Sequence, residues 1–393
     1  MTAEHNRISS AGSLIIPALI IVGITVTLRS TNNMMVTTMP IFAKSLFNFS
    51  NVSVGELTAL TYATTFLATS LLNPRLESRQ RKRVFILSIA LIDISLVLLY
   101  FSNAYGVWGI AALSGVAFGI VFPNLVTSAS LHGDHRAQMR LLAIYSVSLS
   151  LSLVIGPVLE TLILPVVGYR GVFLAFLPIS IIGTAISPVV RFPSGASERR
   201  GRQTLGNRSL HASFFSISIY NVPFAAITSF LVIYAQQNYH IGSSLAYSAF
   251  IIFFASSFST RLLLAIRPLE GLKIPLLVSS VITAVSLLAV PFAPTFYWFL
   301  AVMVLLGIPH GSIFPLTTMM IARGTAPEER NAANSYFMAY NNILFMVVPV
   351  LFGYLSSQIG FHLDFIFLGF SAAVFLIALI TIYGRDRRIF YRE

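Results

Sequence analysis

"LSGVAFGIVFP", Leu113 to Pro123, and "LLGIPHGSIFP", Leu305 to Pro315, lie 192 residues apart. They share Leu, both glycines, Phe and Pro at matching places. The same offset pairs "PVL" at Pro157 with "PVL" at Pro349, Gly168 with Gly360, Phe173 with Phe365, and Arg75 with Arg267. One offset that holds across so long a stretch marks an internal repeat. The question is what unit is repeated.

Composition answers first. The 393 residues are 56% hydrophobic and only 10% charged, where a soluble domain carries about 25% charged residues. A soluble fold this apolar could not cover its own surface, so the class is integral membrane protein. With no cysteine, disulfides, thiolate metal sites and thiol catalysis are excluded. The apolar run after "MTAEHNRISSAGS" is too long for a signal-peptide core and reads as a retained first span.

A bilayer core needs about 20 apolar residues per helix. Twelve runs meet that template, centred near Leu28, Thr64, Ile92, Val116, Leu153, Ile179, Ala225, Phe254, Ile282, Ile308, Phe345 and Ala373. The repeat is therefore a six-span unit occurring twice in the same orientation. The expected fold is an all-α membrane protein of twelve transmembrane helices in two pseudo-symmetric six-helix bundles. The first spans residues 1–190 and the second 212–393. The polar, basic segment 191–211, "RFPSGASERRGRQTLGNRSLH", reads as the linker.

The net charge of +12 would suggest nucleic acid in a soluble protein. Here 21 of the 25 Lys and Arg fall in gaps on one side of the membrane, among them Arg7, Arg75, Arg136, Arg199, Arg200, Arg202, Arg267 and Arg392. Lys44 and Arg170 fall on the other side. That asymmetry places both termini in the cytoplasm, with the plasma membrane as the expected location and no nucleic-acid partner.

Parallel six-helix repeats are the architecture of one large group of secondary transporters. Over essentially its whole length the chain resembles the major facilitator superfamily. The loop after the second span, "NPRLESRQRKR" from Asn73 to Arg83, resembles the family's Gly-x-Leu-x-Asp-Arg-x-Gly-Arg-Arg loop. Asn73, Glu77 and Gln80 replace Gly, Asp and Gly, while Arg81 and Lys82 match. The resemblance implies a cytoplasmic latch of Glu77, Arg81 and Lys82. Two marks of the family's drug antiporters are broken: Ala111 stands where they carry an arginine, and "GPVLET" puts Glu160 and Thr161 where they carry glycines.

The charges inside the apolar runs are then the candidate chemistry. Arg29 sits near the middle of the first span in "TLRSTNN". Buried intramembrane charge points to function by default, and a static ion pair is the alternative. Asn32 and Asn33, at i+3 and i+4, can share its face. Its partner at the 192 offset is Asn221. Only Asp93 and Glu160, of 13 acidic residues, are read as lying inside apolar runs. A desolvated carboxyl suits reversible protonation. Both are proton-coupling candidates, with a structural hydrogen-bond role the alternative for Asp93. His310 replaces Phe118 of the first repeat and is a candidate for both proton coupling and substrate binding. Tyr62, Asn124, Tyr220, Tyr336, Tyr340, Asn341 and Asn342 complete the substrate-binding candidates, each equally able to serve interhelical hydrogen bonding. Arg261 reads as a residue snorkelling to the cytoplasmic interface. The G-x-x-x-G pairs, Gly115 with Gly119 and Gly307 with Gly311, read as close helix contacts.

There is no G-x-x-x-x-G-K-[ST] loop for ATP and no H-E-x-x-H or paired-carboxylate arrangement for an enzyme. The expected protein is a monomeric, cofactor-free secondary transporter whose partners are a small-molecule substrate, protons and membrane lipids. It works by alternating access with the substrate between the two halves. Export of amphipathic compounds, the commoner role in the family, leads. Proton-coupled transport of an organic anion on Arg29 is the alternative. From another class, a non-transporting sensor or scaffold would need a mostly apolar interior, and a channel would sit poorly with rocking halves.

Overall fold

The computed structural model describes residues 2–76, 78–129, 135–192, 203–266, 271–325 and 330–391. Glu77, Arg199, Arg200, Arg202, Arg267 and Arg392 lie outside them, as do residues 193–202 of the linker.

Among the described residues the chain is helical: α1 Thr2–Phe47, α2 Asn51–Leu67, α3 Ser78–Phe101, α4 Gly106–Ala129, α5 His135–Ile186, α6 Arg208–Tyr239, α7 Ser243–Ile266, α8 Lys273–Ala289, α9 Phe296–Gly324, α10 Arg330–Tyr383 and the short α11 Arg387–Phe390. Nine of them are long and apolar enough to cross a membrane. The difference from twelve has a local cause. α5 and α10, of 52 and 54 residues, each break once, at Gly168 (φ 65°, ψ 176°) and Gly360 (φ 80°, ψ 159°). That backbone region is essentially restricted to glycine. Each break divides a continuous helix into two arms, residues 135–167 with 169–186, and 330–359 with 361–383. α2 is only 17 residues long but continues through a π turn, Ala68–Leu72, and a 3₁₀ turn, Asn73–Arg75. With these divisions the described helices fit the arrangement of apolar runs in the sequence.

The repeat recurs in the backbone. Gly168 and Gly360 are 192 residues apart, and so are the two non-glycine residues with positive φ, Asn48 (57°) and His240 (51°), each ending a helix. So are two helix N-caps. Asn103 Oδ1 accepts from the backbone N–H of Tyr105 and Gly106 before α4, and Thr295 Oγ1 accepts from that of Trp298 before α9. The G-x-x-x-G contacts also repeat. A Cβ built on Gly119 would lie 2.4 Å from the Thr65 carbonyl oxygen, and one on Gly311 would lie 2.4 Å from that of Ser257. Only glycine lets these helices meet backbone to backbone.

By packing, the chain forms two compact units, Met1–Met35 with Thr64–Ser197, and Val36–Ala63 with Glu198–Glu393. The sequence repeat divides at the linker instead. In packing terms the C-terminal part of α1 and most of α2 group with the second repeat. Within that unit Asn51 Nδ2 donates to Ser356 Oγ at 3.0 Å, Ser229 Oγ donates to Thr58 Oγ1 at 3.1 Å, and Tyr247 Oη donates to Thr38 Oγ1 at 3.0 Å. Gly55 meets the backbone of Pro349.

In the first unit α3 packs on α4 and α5. In the second, α6 packs on α9 and α10, and α7 packs on α9. α6 is buried nearly all round, with an unbroken buried run from Ala225 to Ala235. Exposed apolar side chains such as Leu87, Ile94 and Phe101 on α3, and Val374 and Ile377 on α10, form the surface that faces lipid. Prolines inside α4, α5, α6, α9 and α10 are tolerated because neighbouring helices and hydroxyls satisfy the freed carbonyls. Thr69 Oγ1 donates to Gly119 O, four residues before Pro123, at 2.8 Å, and Asn33 Nδ2 donates to Leu153 O, four residues before Pro157, at 3.5 Å.

Several basic residues of the gaps cap helix ends. Arg170 Nη1 donates to the carbonyls of Tyr100 and Ser102 at the end of α3, at 2.5 and 2.9 Å. Lys273 Nζ donates to Gly384 O at 2.8 Å, and Arg208 pairs with Asp386 at 3.4 Å.

Candidate functional site

The intramembrane charges fall into separate clusters, each inside one unit.

In the first unit, Arg29 on α1 reaches α4 and α5. Its Nη2 donates to Tyr145 Oη at 3.1 Å, and its guanidinium carbon lies 3.6 Å from the centre of the Phe122 ring. Nε is buried without a hydrogen-bond partner. Arg29 makes no ion pair among the described residues, where the one pair is Arg208–Asp386. The static ion pair left open by the sequence is therefore not what holds it. A guanidinium has five N–H donors in a rigid fork, and here the contacts to Tyr145 and Phe122 fix its orientation while engaging one of them. A half-buried cation held like this has its remaining donors available to an anion.

Asn33 turns elsewhere. Its Nδ2 donates to Leu153 O at 3.5 Å, and its side chain lies against Gly156. Asn32 is half-buried between them in sequence. Arg29 and Asn33 thus address two different turns of α5, rather than one common point. Glu160, higher on the same arm of α5, is completely buried.

Asp93 on α3 accepts through Oδ2 from the Thr184 hydroxyl on α5 at 2.5 Å. This is the structural role the sequence offered as its alternative. Asn124 is also held structurally: its Nδ2 donates to Asn73 Oδ1 and Ile120 O, both at 2.7 Å, tying α4 to the end of α2. Of the latch candidates, Arg81 Nη2 donates to Leu76 O at 3.0 Å and Lys82 is exposed. Glu77 lies outside the described residues.

In the second unit, Tyr220 (α6), Arg261 (α7) and His310 (α9) converge. The His310 ring lies 5.2 Å from Tyr220, 4.3 Å from Phe224, 5.1 Å from Phe253 and 5.5 Å from Phe254, centre to centre. Arg261 Nη2 donates to His310 O at 3.4 Å. The snorkelling expected for Arg261 is corrected here: its head turns inward to α9, where a carbonyl beside Pro309 and Gly311 receives it. Tyr220 Oη and His310 Nε2 are buried with no hydrogen-bond partner.

The remaining polar candidates of this unit join α6 to α10. Asn221 Nδ2 donates to Asn341 Oδ1, and Asn341 Nδ2 donates to Phe337 O at 2.6 Å. Tyr340 Oη and Ser218 Oγ share a hydrogen bond of 2.6 Å. Tyr62 stacks obliquely on Phe345 at 4.9 Å. Tyr336 and Asn342 are half-buried on α10.

One acid escaped the sequence reading. Asp364 is not among the acids that the sequence places inside apolar runs, yet it is 1% exposed and neither carboxyl oxygen has a hydrogen-bond partner. It sits four residues past Gly360, in the first turn of the second arm of α10. The signal was available: had the last span been started at the glycine, Asp364 would have fallen inside it. No group of three or more His, Asp or Glu able to hold a metal occurs among the described residues.

The sequence profile of the Major Facilitator Superfamily matches residues 19–269 and 270–389, so the chain belongs to that superfamily. It is an integral membrane transporter of the secondary type. No curated protein matches the sequence. Among solved structures, a POT family transporter in complex with a thioalcohol-conjugated peptide is similar, with a TM-score of 0.76 at 13% identity, over 93% of this chain and 96% of that one. A bacterial homologue of the human lysosomal transporter Spinster, in an inward-facing and occupied conformation, gives 0.73 at 12% identity over 97% of both chains. The nucleoside transporter NupG gives 0.71 at 12% identity, over 93% of this chain and 100% of that one. These likenesses fix the fold.

Proposed function

We propose that this protein moves a small organic anion by alternating access in the plasma membrane, with its termini in the cytoplasm and with Arg29 as the anion anchor. The observation that carries this is the state of Arg29: oriented by Tyr145 and Phe122, and without an acidic partner among the described residues. An uncompensated cation inside a membrane protein is costly. A substrate carboxylate or phosphate accepts from its fork bidentately and relieves that cost. Transport is coupled to protons, and Glu160 is the carrier we favour. It is fully buried in the helix arm that also presents Tyr145, whereas Asp93 is committed to Thr184.

A second reading, export of amphipathic drug-like compounds, draws on the aromatic wall of Phe224, Phe253 and Phe254. Proteoliposomes with an imposed pH gradient separate the two. The anion reading expects flux of carboxylates that responds to the gradient, and loss of that response in Glu160→Gln. Preferential movement of lipophilic cations would replace it with the second reading. Carboxylate flux indifferent to the gradient would remove proton coupling.

A further inference from the structure

The second unit holds a cluster that the anion anchor on Arg29 does not explain. Tyr220, Arg261 and His310 come from three helices, α6, α7 and α9, and meet behind three phenylalanine rings. Tyr220 is 2% exposed and His310 7%. Buried polar atoms in native proteins are almost always hydrogen-bonded. Here two of them, Tyr220 Oη and His310 Nε2, have no partner. They belong to neighbouring rings, 5.2 Å apart centre to centre. The backbone contact of Arg261 to His310 O brings a positive charge to the same place.

The chemistry of that donor set is specific. A phenol hydroxyl, a nearby guanidinium and an imidazole in the tautomer that carries its proton on Nε2 all favour an oxygen acceptor carrying negative charge. A cation would meet the charge of Arg261. The rest of the surround is aromatic. The Phe224 ring lies 5.9 Å from Phe253 and nearly parallel to it, and 6.4 Å from Phe254 edge-on. Such offset and edge-on spacings are the favoured geometries of aromatic pairs, so the wall is one to which an aromatic group is chemically suited. The first repeat has no equivalent, since Leu28, Thr69 and Phe118 occupy the matching positions. The cluster is thus a departure from the repeat: Tyr220 and His310 stand where the first repeat has apolar side chains, and Arg261 stands where it has a neutral threonine.

We propose that Tyr220, Arg261 and His310 form an anion-binding site within the second unit, one that takes the carboxylate of a small aromatic acid against Phe224, Phe253 and Phe254. The site stands apart from the reading of Arg29, because it lies wholly in the other unit and needs no contact with α1.

Titration calorimetry on the full chain in lipid nanodiscs tests it, with benzoate as the probe and benzamide and benzylammonium as controls. The protein is measured both as wild type and as Arg29→Gln, so that binding at Arg29 is removed from the second measurement. The expected result is saturable benzoate binding that survives Arg29→Gln and falls about tenfold in Tyr220→Phe, the cost of one charge-assisted hydrogen bond. His310→Phe should give a similar loss. Tyr220→Phe removes a single oxygen atom, so it remains informative if His310→Phe does not fold. Benzamide should bind more weakly than benzoate, and benzylammonium not at all. Unchanged benzoate affinity in folded Tyr220→Phe overturns the proposal, as does benzamide binding as tightly as benzoate. Loss of all benzoate binding in Arg29→Gln also overturns it, while leaving the Arg29 anchor standing. Retained binding with carboxylate transport indifferent to Arg29 would instead remove the anchor and leave this site.

Discussion

Substituting Gly119 by alanine tests the helix contact that the repeat shares. The added Cβ would lie 2.4 Å from Thr65 O and 2.8 Å from Ala68 Cβ, whereas ordinary contact begins at 3.4 Å. The obstacle is backbone, so α2 and α4 must separate by about 1 Å. Overpacking of this kind costs about 1–3 kcal/mol. Separation also stretches two hydrogen bonds between the helices, Thr65 Oγ1 to Gly115 O at 3.0 Å and Thr69 Oγ1 to Gly119 O at 2.8 Å. Each is worth about 0.6 kcal/mol in a membrane protein. The expected loss is therefore about 2–4 kcal/mol. Gly311→Ala should cost a similar amount, because its Cβ would meet Ser257 O at the same 2.4 Å. Gly109→Ala, on the same helix with nothing within 4 Å, is the control. It should be neutral or stabilising by up to about 1 kcal/mol. Equilibrium unfolding in mixed micelles measures all three. If Gly119→Ala and Gly109→Ala behaved alike, the close-contact reading would be refuted.

Three further outcomes follow from other parts of the structure. Alanine at Gly168 or Gly360 should cost about 1–3 kcal/mol in the same unfolding measurement, because each glycine holds a backbone conformation nearly closed to other residues. Thr184→Val should destabilise the α3–α5 contact by about 1 kcal/mol, while Asp93→Asn, which keeps an acceptor for Thr184, should leave both stability and the pH-gradient response of transport in place. Asp364→Leu should raise unfolding free energy by about 1–3 kcal/mol, since it removes buried polar atoms with no hydrogen-bond partner. A fall in stability there would show that Asp364 is satisfied in a way the structure does not display.

The architecture was legible because its determinants are local. Apolar length sets a span, and a glycine in the right place breaks a helix. The 192-residue offset, legible on residues such as Gly119 with Gly311 and Gly168 with Gly360, also pairs the caps at Asn103 and Thr295, and the structure shows that Gly168 and Gly360 are where the long helices break. The site was legible only as a set of residue types. Adjacent helix positions differ by about 100° in direction, so the sequence could put Arg29 and Asn33 on one face but not tell that they meet different turns of α5. For the same reason Arg261 read as a snorkelling residue, when its head is bonded to His310 O. Tyr340 and Asn341 were named for substrate, and their partners turned out to be Ser218 and Asn221 on α6. Which of two plausible partners a polar side chain takes is decided by helix rotation, and no single stretch of sequence encodes that. Asp364 was missed for a simpler reason, an imprecise span boundary.

The central claim is that Arg29 receives the charged group of the substrate. Carboxylate flux into proteoliposomes, compared among wild type, Arg29→Lys and Arg29→Gln at matched amounts of folded protein, tests it most directly. Lysine keeps the charge but loses the planar fork. The account predicts strong flux for wild type, a partial rate with a raised half-saturation concentration for Arg29→Lys, and loss of carboxylate flux for Arg29→Gln. Carboxylate flux in Arg29→Gln equal to that of wild type would contradict it.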